Sequence, residues 1–402
     1  SVPVSQRHAP GTTISDTESF NNTGMNNTTV WWIHWNSATS IYAAFDDLKW
    51  ERSIDGGDTW TFDVNGLDQK LENFSLEVHP TTGRMYLSRG RAVAPFDFSG
   101  LSDSVANLGG GNLSYSDDGG ANWNVLYDFG NPVSWTSIDP NDPQTMYAGV
   151  FDPDPKFGGV YVSHNIDAGA GVTFSLLEAQ PPGNVGRPHT LEVLDDGTLV
   201  LVLTARKFDH DSNPATPEIQ TAGSGVFRLD PGASEWVDVS NANMHYWSKD
   251  LTIDPADPTQ NTWYVAVATA VQPVEAVAGY ASNQPGLYMT TDRGGSWTRV
   301  FTKETDSLAV DPSHPTEGYL ASNTDGLWYT SDLRLADGVT INPNPTFTQV
   351  TSFPHQRPNR VFFNPYVPGE VWISSNGAGI LVGNSSAALR EFHFSSSIYS
   401  VT

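Results

Sequence analysis

The sequence predicts an all-β protein built from seven copies of one four-stranded unit. An eight-residue phrase recurs three times along the 402 residues, and a strand–turn–strand pattern recurs seven times. The chain also holds 13 Trp, 14 Tyr, 19 Phe and 36 Gly, with hardly any long helical pattern. Aromatic strands separated by glycine turns are typical of β-rich domains, and repetition at a regular spacing is typical of repeat folds.

The shorter repeat reads Ser/Thr-x-Asp-x-Gly-x-Thr/Ser/Asn-Trp, and its copies begin at Ser53, Ser116 and Thr290. Glycine permits a tight turn, the Asp carboxylate and the hydroxyl can bond nearby amides, and Trp can anchor the turn to its sheet. Each copy therefore predicts a turn between two strands. Degenerate copies occupy residues 163–174, 230–236 and 330–332.

The longer repeat is an apolar strand, a Pro or Gly turn, and an aromatic or aliphatic strand. Its seven copies have their first anchors at Ile33, Val78, Ile138, Val193, Ile253, Val310 and Phe363. A third and a fourth strand follow most copies, and four antiparallel strands make one propeller blade. We therefore predict a single seven-bladed β-propeller domain over residues 1–402. The predicted blades are 30–65, 74–130, 133–180, 188–241, 247–301, 306–350 and 358–402, with the last blade completed by residues 390–401 or by residues 11–20.

The eight-residue turns resemble the Asp-box, or BNR repeat, of β-propeller proteins. That family includes sialidases, xyloglucanase-type glycoside hydrolases and sortilin-like receptors. The resemblance implies the propeller fold and a scaffold role for the box residues, whereas fold alone does not define an activity. Sialidases fit less well, because their catalytic domains have six blades and the chain shows no arginine-first motif near its start.

Composition limits the partners. The chain has 20 Lys and Arg against 45 Asp and Glu, a formal net charge of −25, which repels nucleic acids and anionic membranes. It has no Cys, so the fold does not depend on disulfides. Because it begins at Ser1 and its apolar runs are short, we expect a secreted, extracellular monomer.

Topology predicts where binding occurs. In an up-and-down blade, the first and third turns lie at one edge of the sheet, here called the turn edge. The second loop and the segment leading into the blade lie at the other, here called the loop edge. Loop-edge segments vary most in length and chemistry, so we predict function there. Twelve of the 20 cations fall at this edge: Lys49, Lys70, Arg89, Arg91, Lys156, Arg187, Arg206, Lys207, Lys249, Lys303, Arg357 and Arg360.

Cations beside aromatic rings favour a sugar polymer, with carboxylated or sulfated glycans as candidates. Trp and Tyr rings can stack on pyranose faces, and Arg matches anionic substituents. The alternative is that these cations neutralise neighbouring carboxylates. The predicted substrate-binding residues are Trp135, Arg187, His189, His245, Tyr246, Trp247, Lys249, His355, Arg357 and Arg360.

Hydrolysis of a glycosidic bond needs two carboxyl groups, one as acid and one as base or nucleophile. Asp46 and Asp152 each follow a second strand at its loop edge and are the predicted catalytic pair. The segment from Tyr42 to Asp46 is similar to the Tyr-Ala-x-x-Asp segment of xyloglucanase-type hydrolases, in which that Asp is catalytic. The leading prediction is a secreted hydrolase of a plant or algal polysaccharide. The reserve carboxylates are Glu72, Glu304 and Asp306.

Two other functions stay open. A lyase acting on a uronate-containing glycan would use His or Tyr for proton transfer, and His189 and His245 are candidates beside cations. A non-catalytic propeller would bind glycan or protein without chemistry. Asp209, Asp211 and Asn213 space oxygen atoms as calcium loops do and are a candidate structural Ca²⁺ site. No other cofactor is expected, and no HxH or HxxxH pattern predicts zinc.

Overall fold

The computed structural model describes residues 28–45, 50–61, 65–68, 70–91, 109–152, 158–181, 187–207, 219–220, 223–245, 247–268, 284–353 and 357–384. Within them lie 28 β-strands and a single-turn 3₁₀ helix at Gly169–Gly171. The predicted fold class, an all-β propeller of seven blades, is confirmed. No helix in the described part of the chain is long and apolar enough to cross a membrane.

Seven antiparallel sheets follow one another along the chain, with strands paired in sequence order within each sheet. Sheet 1 contains β1 (Val30–Trp35), β2 (Ile41–Phe45) and β3 (Trp50–Ser53). Sheet 2 contains β4 (Glu72–Val78), β5 (Met85–Gly90), β6 (Asn112–Ser116) and β7 (Asn124–Asp128). Sheet 3 contains β8 (Val133–Ile138), β9 (Met146–Val150), β10 (Gly159–Ser163) and β11 (Ser175–Leu176). Sheet 4 contains β12 (Pro188–Val193), β13 (Leu199–Leu203), β16 (Gly225–Leu229) and β17 (Val237–Asp238), with a ribbon of β14 (Arg206–Lys207) and β15 (Ile219–Gln220) between its second and third strands.

The remaining three sheets repeat this plan. Sheet 5 contains β18 (Ser248–Ile253), β19 (Trp263–Val267), β20 (Gly286–Thr290) and β21 (Thr298–Phe301). Sheet 6 contains β22 (Ser307–Val310), β23 (Gly318–Ser322), β24 (Gly326–Thr330) and β25 (Thr348–Gln349). Sheet 7 contains β26 (Pro358–Phe363), β27 (Glu370–Ser375) and β28 (Ile380–Asn384). Over the described residues, sheets 1 and 7 have three strands and the other five have four.

The second strands are the most deeply buried. Every residue of β2, β13, β19 and β23 is buried, so these strands are nearly continuous apolar runs such as LVLVL in β13. A strand covered on both faces has no polar side to present to water. The outermost strands β11, β17 and β25 are two residues long and exposed, which limits the free edge available for pairing with other chains.

Residues Ser1–Asn65 and Asp306–Thr402 form one compact unit, and Gly66–Thr305 form another. In the first unit, β22 packs on β26, and β26 and β27 pack on β1, so the first and last sheets of the chain lie side by side. The ring of Trp372 in sheet 7 lies 5.2 Å from that of Trp35 in sheet 1. The proposed closing segments, 11–20 and 390–401, lie outside the described residues, and the single-domain assignment stays a prediction.

In the second unit, sheets 2 to 5 pack in chain order through β4, β8, β12 and β18. One apolar cluster joins sheets 2 and 3, with Tyr86 and Val150 among its members. Another joins sheets 4 and 5, with Val202 and Trp263 among its members. The first strand of each sheet, here called the innermost strand, therefore packs against the first strand of the next sheet. This packing places the loop edges of neighbouring sheets side by side.

The strand register defines the two edges of each sheet. In sheet 3, Ile138 pairs with Met146 and Met146 with Ser163 at the turn edge, whereas Val150 pairs with Val133 and Gly159 at the loop edge. In sheet 5, Thr290, the first residue of the repeat turn, pairs with Trp263 at the turn edge. The repeat turns and the first turns of the blades thus share one edge of their sheets.

The repeat turns are closed by the same bonds. In the first copy, Ser53 Oγ donates to Asp55 Oδ1 (2.8 Å), and Asp55 accepts the Thr59 amide (2.8 Å). Trp60 Nε1 donates to the Gly57 carbonyl (3.1 Å). The copies at Asp118 and Asp292 repeat the carboxylate bonds. Because the Asp carboxylates already accept local donors, we assign them to the scaffold.

Two degenerate turns keep the same bonds despite insertions. In sheet 3, Asn165 Oδ1 accepts the Ser163 hydroxyl (3.1 Å) and the amide of Thr173, eight residues on (3.0 Å). In sheet 6, Asp332 Oδ1 accepts the Thr330 hydroxyl (2.7 Å) and the amide of Thr346, fourteen residues on (2.8 Å). The carboxylate or amide oxygen closes the turn whether the inserted loop is short or long.

The innermost strands of six sheets carry a β-bulge near the loop edge. Hydroxyl groups from one sheet reach carbonyls at the start of the next: Ser134 Oγ donates to Pro188 O (2.6 Å), Thr190 Oγ1 to Lys249 O (3.3 Å) and Ser307 Oγ to Asn359 O (2.9 Å). A bulge leaves ladder groups unpaired and redirects side chains. These hydroxyls satisfy the freed carbonyls and join neighbouring blades.

Candidate functional site

The structure places several of the predicted site residues at the loop edges of sheets 3, 4 and 5. Asp152 directly follows Phe151 and β9, Arg187 and His189 flank the first residue of β12, and Trp247 and Lys249 flank the first residue of β18. Since β12 packs on β18, and Thr190 bonds the carbonyl of Lys249, these two strand starts lie side by side. We call this set the loop-edge cluster: Asp152, Arg187, His189, Trp247 and Lys249.

Asp152 is the described member of the predicted catalytic pair. Its Oδ2 accepts a hydrogen bond from Asn131 Nδ2 at 2.6 Å, and the residue is 8% exposed. Burial raises the pKa of the nearby Tyr161 hydroxyl, and the negative charge of Asp152 raises it further. The site therefore contains an oriented carboxylate next to a phenol that stays protonated at neutral pH.

The cations of the loop-edge cluster pack against aromatic rings. The Arg187 guanidinium lies 5.6 Å from the ring centroid of Phe151, the residue before Asp152. Lys249 Nζ lies 5.2 Å from the ring centroid of Trp247. Contacts of this kind attract a cation to the face of the ring. They fix two positive groups close to the ends of the innermost strands.

The residues of the loop-edge cluster are more deeply buried than residues in surface loops usually are. Arg187 and His189 are fully buried, and Trp247 and Lys249 are buried as well. Trp135, another predicted binding residue, is buried inside β8, where it pairs with Gly149. Strand β12 begins at Pro188, so His189 lies within a packed strand and Arg187 directly precedes it.

His245 links the segment leading into sheet 5 to sheet 4. Its Nδ1 lies 2.7 Å from the Ser224 carbonyl, which requires that this nitrogen carry the proton.

The reserve carboxylates of this unit also lie at the loop edge. Glu72 pairs with Gly90 at the end of sheet 2, and Glu304 is buried just after sheet 5.

Arg89, one of the loop-edge cations, has a structural role. It is fully buried, and its Nε donates to Asn73 Oδ1 (2.9 Å) while Nη2 donates to the Asp68 and Leu71 carbonyls (2.6 and 3.0 Å). Burial lowers the pKa of Arg89 to about 10, with the charge of Asp68 acting against this. This arginine holds the segment that leads into sheet 2.

The first unit has its own group at the loop edges of sheets 6 and 7. The Arg360 guanidinium lies 5.3 Å from the ring centroid of Trp32. Arg357 Nε donates to Asn323 Oδ1 (2.9 Å), and the Asn323 amide donates to the carboxylate of Asp306. Asn323 therefore connects a predicted binding arginine with a reserve carboxylate.

Several predicted residues lie outside the described part of the chain and stay predictions: Asp46, Tyr246, His355, Asp209, Asp211 and Asn213. Over the residues that the structure does describe, no group of three or more His, Asp or Glu side chains is arranged to hold a metal ion.

Sequence reasoning missed Asn131, Phe151 and Asn323, each of which contacts a predicted site residue. Asn131 lies between Gly130 and Pro132, immediately before an innermost strand, and this position is the one feature of the sequence that could have identified it. Phe151 follows an apolar strand and reads as one more core residue. Asn323 lies in a polar turn without distinguishing features.

No family model matches this chain, and no curated protein sequence matches it. Solved structures do. An ancestral GH74 enzyme superposes with a TM-score of 0.62 at 14% identity, covering 95% of this chain and 48% of its own. YCF48 bound to D1 peptide gives 0.56 at 14% identity, covering 94% of this chain and 100% of its own. PorZ, a surface component of the type-IX secretion system of Porphyromonas gingivalis, gives 0.50 at 15% identity, covering 88% and 46%. At these identities the likeness shows the fold alone.

The lengths of these proteins differ. The chain spans about half the length of the GH74 enzyme and of PorZ, and it matches the whole of YCF48. One fold thus occurs in an enzyme, in a peptide-bound protein and in a secretion-system component, so any activity has to be argued from the side chains of this chain.

Proposed function

We propose that this chain is a secreted carbohydrate-active protein that degrades a plant or algal polysaccharide by glycosidic hydrolysis at its loop edges. The observation that carries the proposal is Asp152, whose carboxylate is oriented by Asn131 at the loop edge of sheet 3. Hydrolysis needs such a carboxyl group on one side of the glycosidic bond. Asp46 is the proposed second group, with Glu72, Glu304 and Asp306 in reserve.

The surroundings of Asp152 support a glycan with anionic substituents. In the unit that contains Asp152, the contact of Lys249 with Trp247 combines the two chemistries that a charged sugar needs. In the other unit, the contact of Arg360 with Trp32 does the same. An aromatic face stacks on a pyranose ring, and a guanidinium or ammonium group pairs with a carboxylate or sulfate. Positive groups are scarce in a chain of net charge −25, so their position at the loop edge supports the binding of an anionic ligand there.

Likeness in fold to a GH74 enzyme supports a hydrolase at the level of the scaffold. That enzyme is about twice as long as this chain. Because this chain covers only 48% of it, we carry over no residue role from it.

A non-catalytic propeller that binds glycan or protein is the second candidate. It is favoured by the complete burial of Arg187 and His189, which limits their direct contact with a substrate. The match to the whole of YCF48 bound to D1 peptide also supports it. Under this proposal the buried cations stabilise the loop edge, and exposed residues such as Arg357 make the contacts.

A panel of neutral, uronate-containing and sulfated polysaccharides tests both candidates. Each polymer is incubated with the purified protein, and the products are followed by reducing ends and by the ultraviolet absorbance of an unsaturated uronate. Reducing ends without that absorbance support hydrolysis, whereas both signals together support the lyase alternative. Retained binding without either signal supports the binding propeller. A protein that neither binds nor cleaves any polymer would contradict the carbohydrate proposal.

A further inference from the structure

The backbone of Asn131 is fixed before sheet 3 begins. The Gly110 amide donates to the Gly130 carbonyl (2.7 Å), and the Phe129 amide donates to the Gly111 carbonyl (3.0 Å). A Cβ atom at position 111 would lie 1.9 Å from the Asn131 carbonyl oxygen, so only glycine permits this approach. The segment leading into sheet 3 is thereby held against sheet 2.

Asp152 is fixed from the other side. The amide of Phe151 donates to the Pro132 carbonyl (2.8 Å), so the two residues adjoining Asn131 and Asp152 are bonded through their backbones. A Cβ atom at Gly158 would lie 2.8 Å from the Asp152 carbonyl oxygen, which shows how closely the returning chain packs. The side chains of Asn131 and Asp152 therefore meet at 2.6 Å with little freedom in either backbone.

A donor N–H on a carboxylate favours its ionised form. Two such groups are described on the neighbouring strands. Tyr161 of β10 is a phenol with a raised pKa, and Arg187, before β12, is a cation against Phe151. Asp154 and Lys156 lie outside the described residues. A short amide–carboxylate bond in a buried setting is of the stronger, charge-assisted kind.

We propose that Asn131 is a positioning residue that keeps Asp152 ionised and assigns it the role of general base. This inference rests on the proposed hydrolysis. As base, Asp152 accepts a proton from water while the water oxygen forms the new bond to the anomeric carbon. The glycosidic bond breaks in the same step, and the leaving oxygen takes a proton from a second carboxyl group, which must be the acid.

The first experiment is a titration of the Asp152 carboxyl carbon by NMR in protein labelled with ¹³C-aspartate, with Asp152→Asn used to assign the signal. Asn131→Ala removes the donor and should raise the pKa of Asp152 by about one unit. Asn131→Leu does the same at similar volume, in case the alanine variant does not fold. Asn141→Ala is the matched control, because Asn141, in the first turn of sheet 3, donates to the Asp195 carbonyl in the first turn of sheet 4. An unchanged Asp152 pKa in both Asn131 variants would overturn the proposal.

The second readout is the pH profile of hydrolysis on the polymer that the panel identifies. The low-pH limb of kcat should shift upward with Asn131→Ala by the same amount as the titration, while KM changes little. If Asn131→Ala changes the pKa of Asp152 but not the low-pH limb of kcat, Asp152 is not the general base, although Asn131 still influences its ionisation. If the wild-type protein cleaves no polymer, the hydrolysis and the base role both fail, whereas the titration still decides whether Asn131 holds Asp152 ionised.

Discussion

Arg293, in the repeat turn of sheet 5, donates through Nη1 to the carboxylate of Asp196 in the first turn of sheet 4. Its Nε donates to Asn261 Oδ1 and its Nη2 to the Thr259 carbonyl, both at 2.9 Å. One guanidinium thus joins two neighbouring blades at the turn edge. Arg293 also has a φ of 55°, in the left-handed region that side chains other than glycine adopt at a cost.

The same position in the other two repeat turns is glycine, Gly56 and Gly119, with φ of 77° and 66°. We therefore expect Arg293→Ala to destabilise the protein more than Arg293→Gly. Alanine loses the three bonds and keeps the strain, whereas glycine loses the bonds and relieves it, a difference of about 1 kcal/mol. Urea unfolding of the two variants measures this difference, and equal free energies of unfolding would show that the bonds alone matter.

Asp196 makes part of the stability dependent on pH. Burial alone would raise its pKa, but the hydrogen bonds from Arg293 and Thr198 outweigh burial and lower the pKa to about 2. A carboxylate with a lowered folded pKa stabilises the protein above its unfolded pKa, near 4, and this contribution is lost as the pH falls toward 2. Asp196 is half exposed, so the effect should be below about 1 kcal/mol. Asp196→Asn should flatten the loss of stability between pH 5 and 2, and a slope identical to that of wild type would count against the pair.

Glu77 has the opposite dependence. Burial raises its pKa, the charge of Glu192 raises it further, and the Ile138 amide acts against both, leaving the pKa at about 8. Between the unfolded value of 4.5 and 8, the folded protein binds more protons than the unfolded chain, so stability falls as the pH rises through this window. Glu77→Gln should remove this loss and gain on the order of 2 kcal/mol at pH 8. Free energies of unfolding at pH 5 and pH 8 test it, and a wild-type protein equally stable at both would refute the shift.

The hydroxyl groups at the bulges should contribute measurably to packing between blades. Ser134 Oγ lies 2.6 Å from the Pro188 carbonyl and 3.2 Å from the Gly149 carbonyl, and it is fully buried. Ser134→Ala leaves the Pro188 carbonyl without this donor and should cost about 1 to 2 kcal/mol. Ser175→Ala, in the exposed outer strand β11, is the control and should change stability by less than about 0.5 kcal/mol. Equal effects of the two variants would mean that the bond adds nothing.

The fold could be predicted because its signals are local. The anchor Ile138, which begins its copy of the longer repeat, and the repeat turn beginning at Ser116 carry strand and turn chemistry in short local patterns. Third strands follow the repeat copies as predicted, for example β20 (Gly286–Thr290) in sheet 5. Repetition then gives the number of sheets, since each copy needs neighbours to bury its faces.

Burial at the loop edge could not be predicted in the same way. Arg187 and His189 are predicted to lie in binding loops, yet they flank the first residue of a packed strand and are fully buried. Their depth depends on the bulges and on the neighbouring sheet, which are contacts distant in sequence. The bonds from Ser134 to Pro188, and from Asn131 to Asp152, have the same origin. Short polar side chains next to strand starts give no local sign of such partners.

A matched pair of variants tests most directly whether the chemistry occurs at the loop edge of sheet 3. Asp152→Asn changes the loop edge, and Asp139→Asn changes a carboxylate in the first turn at the opposite edge of the same sheet. With both variants folded as judged by urea unfolding, turnover of the panel's best polymer is measured as kcat. We expect Asp152→Asn to lose at least about 100-fold and Asp139→Asn to keep wild-type turnover. Full turnover by Asp152→Asn, or equal losses in both variants, would contradict the account.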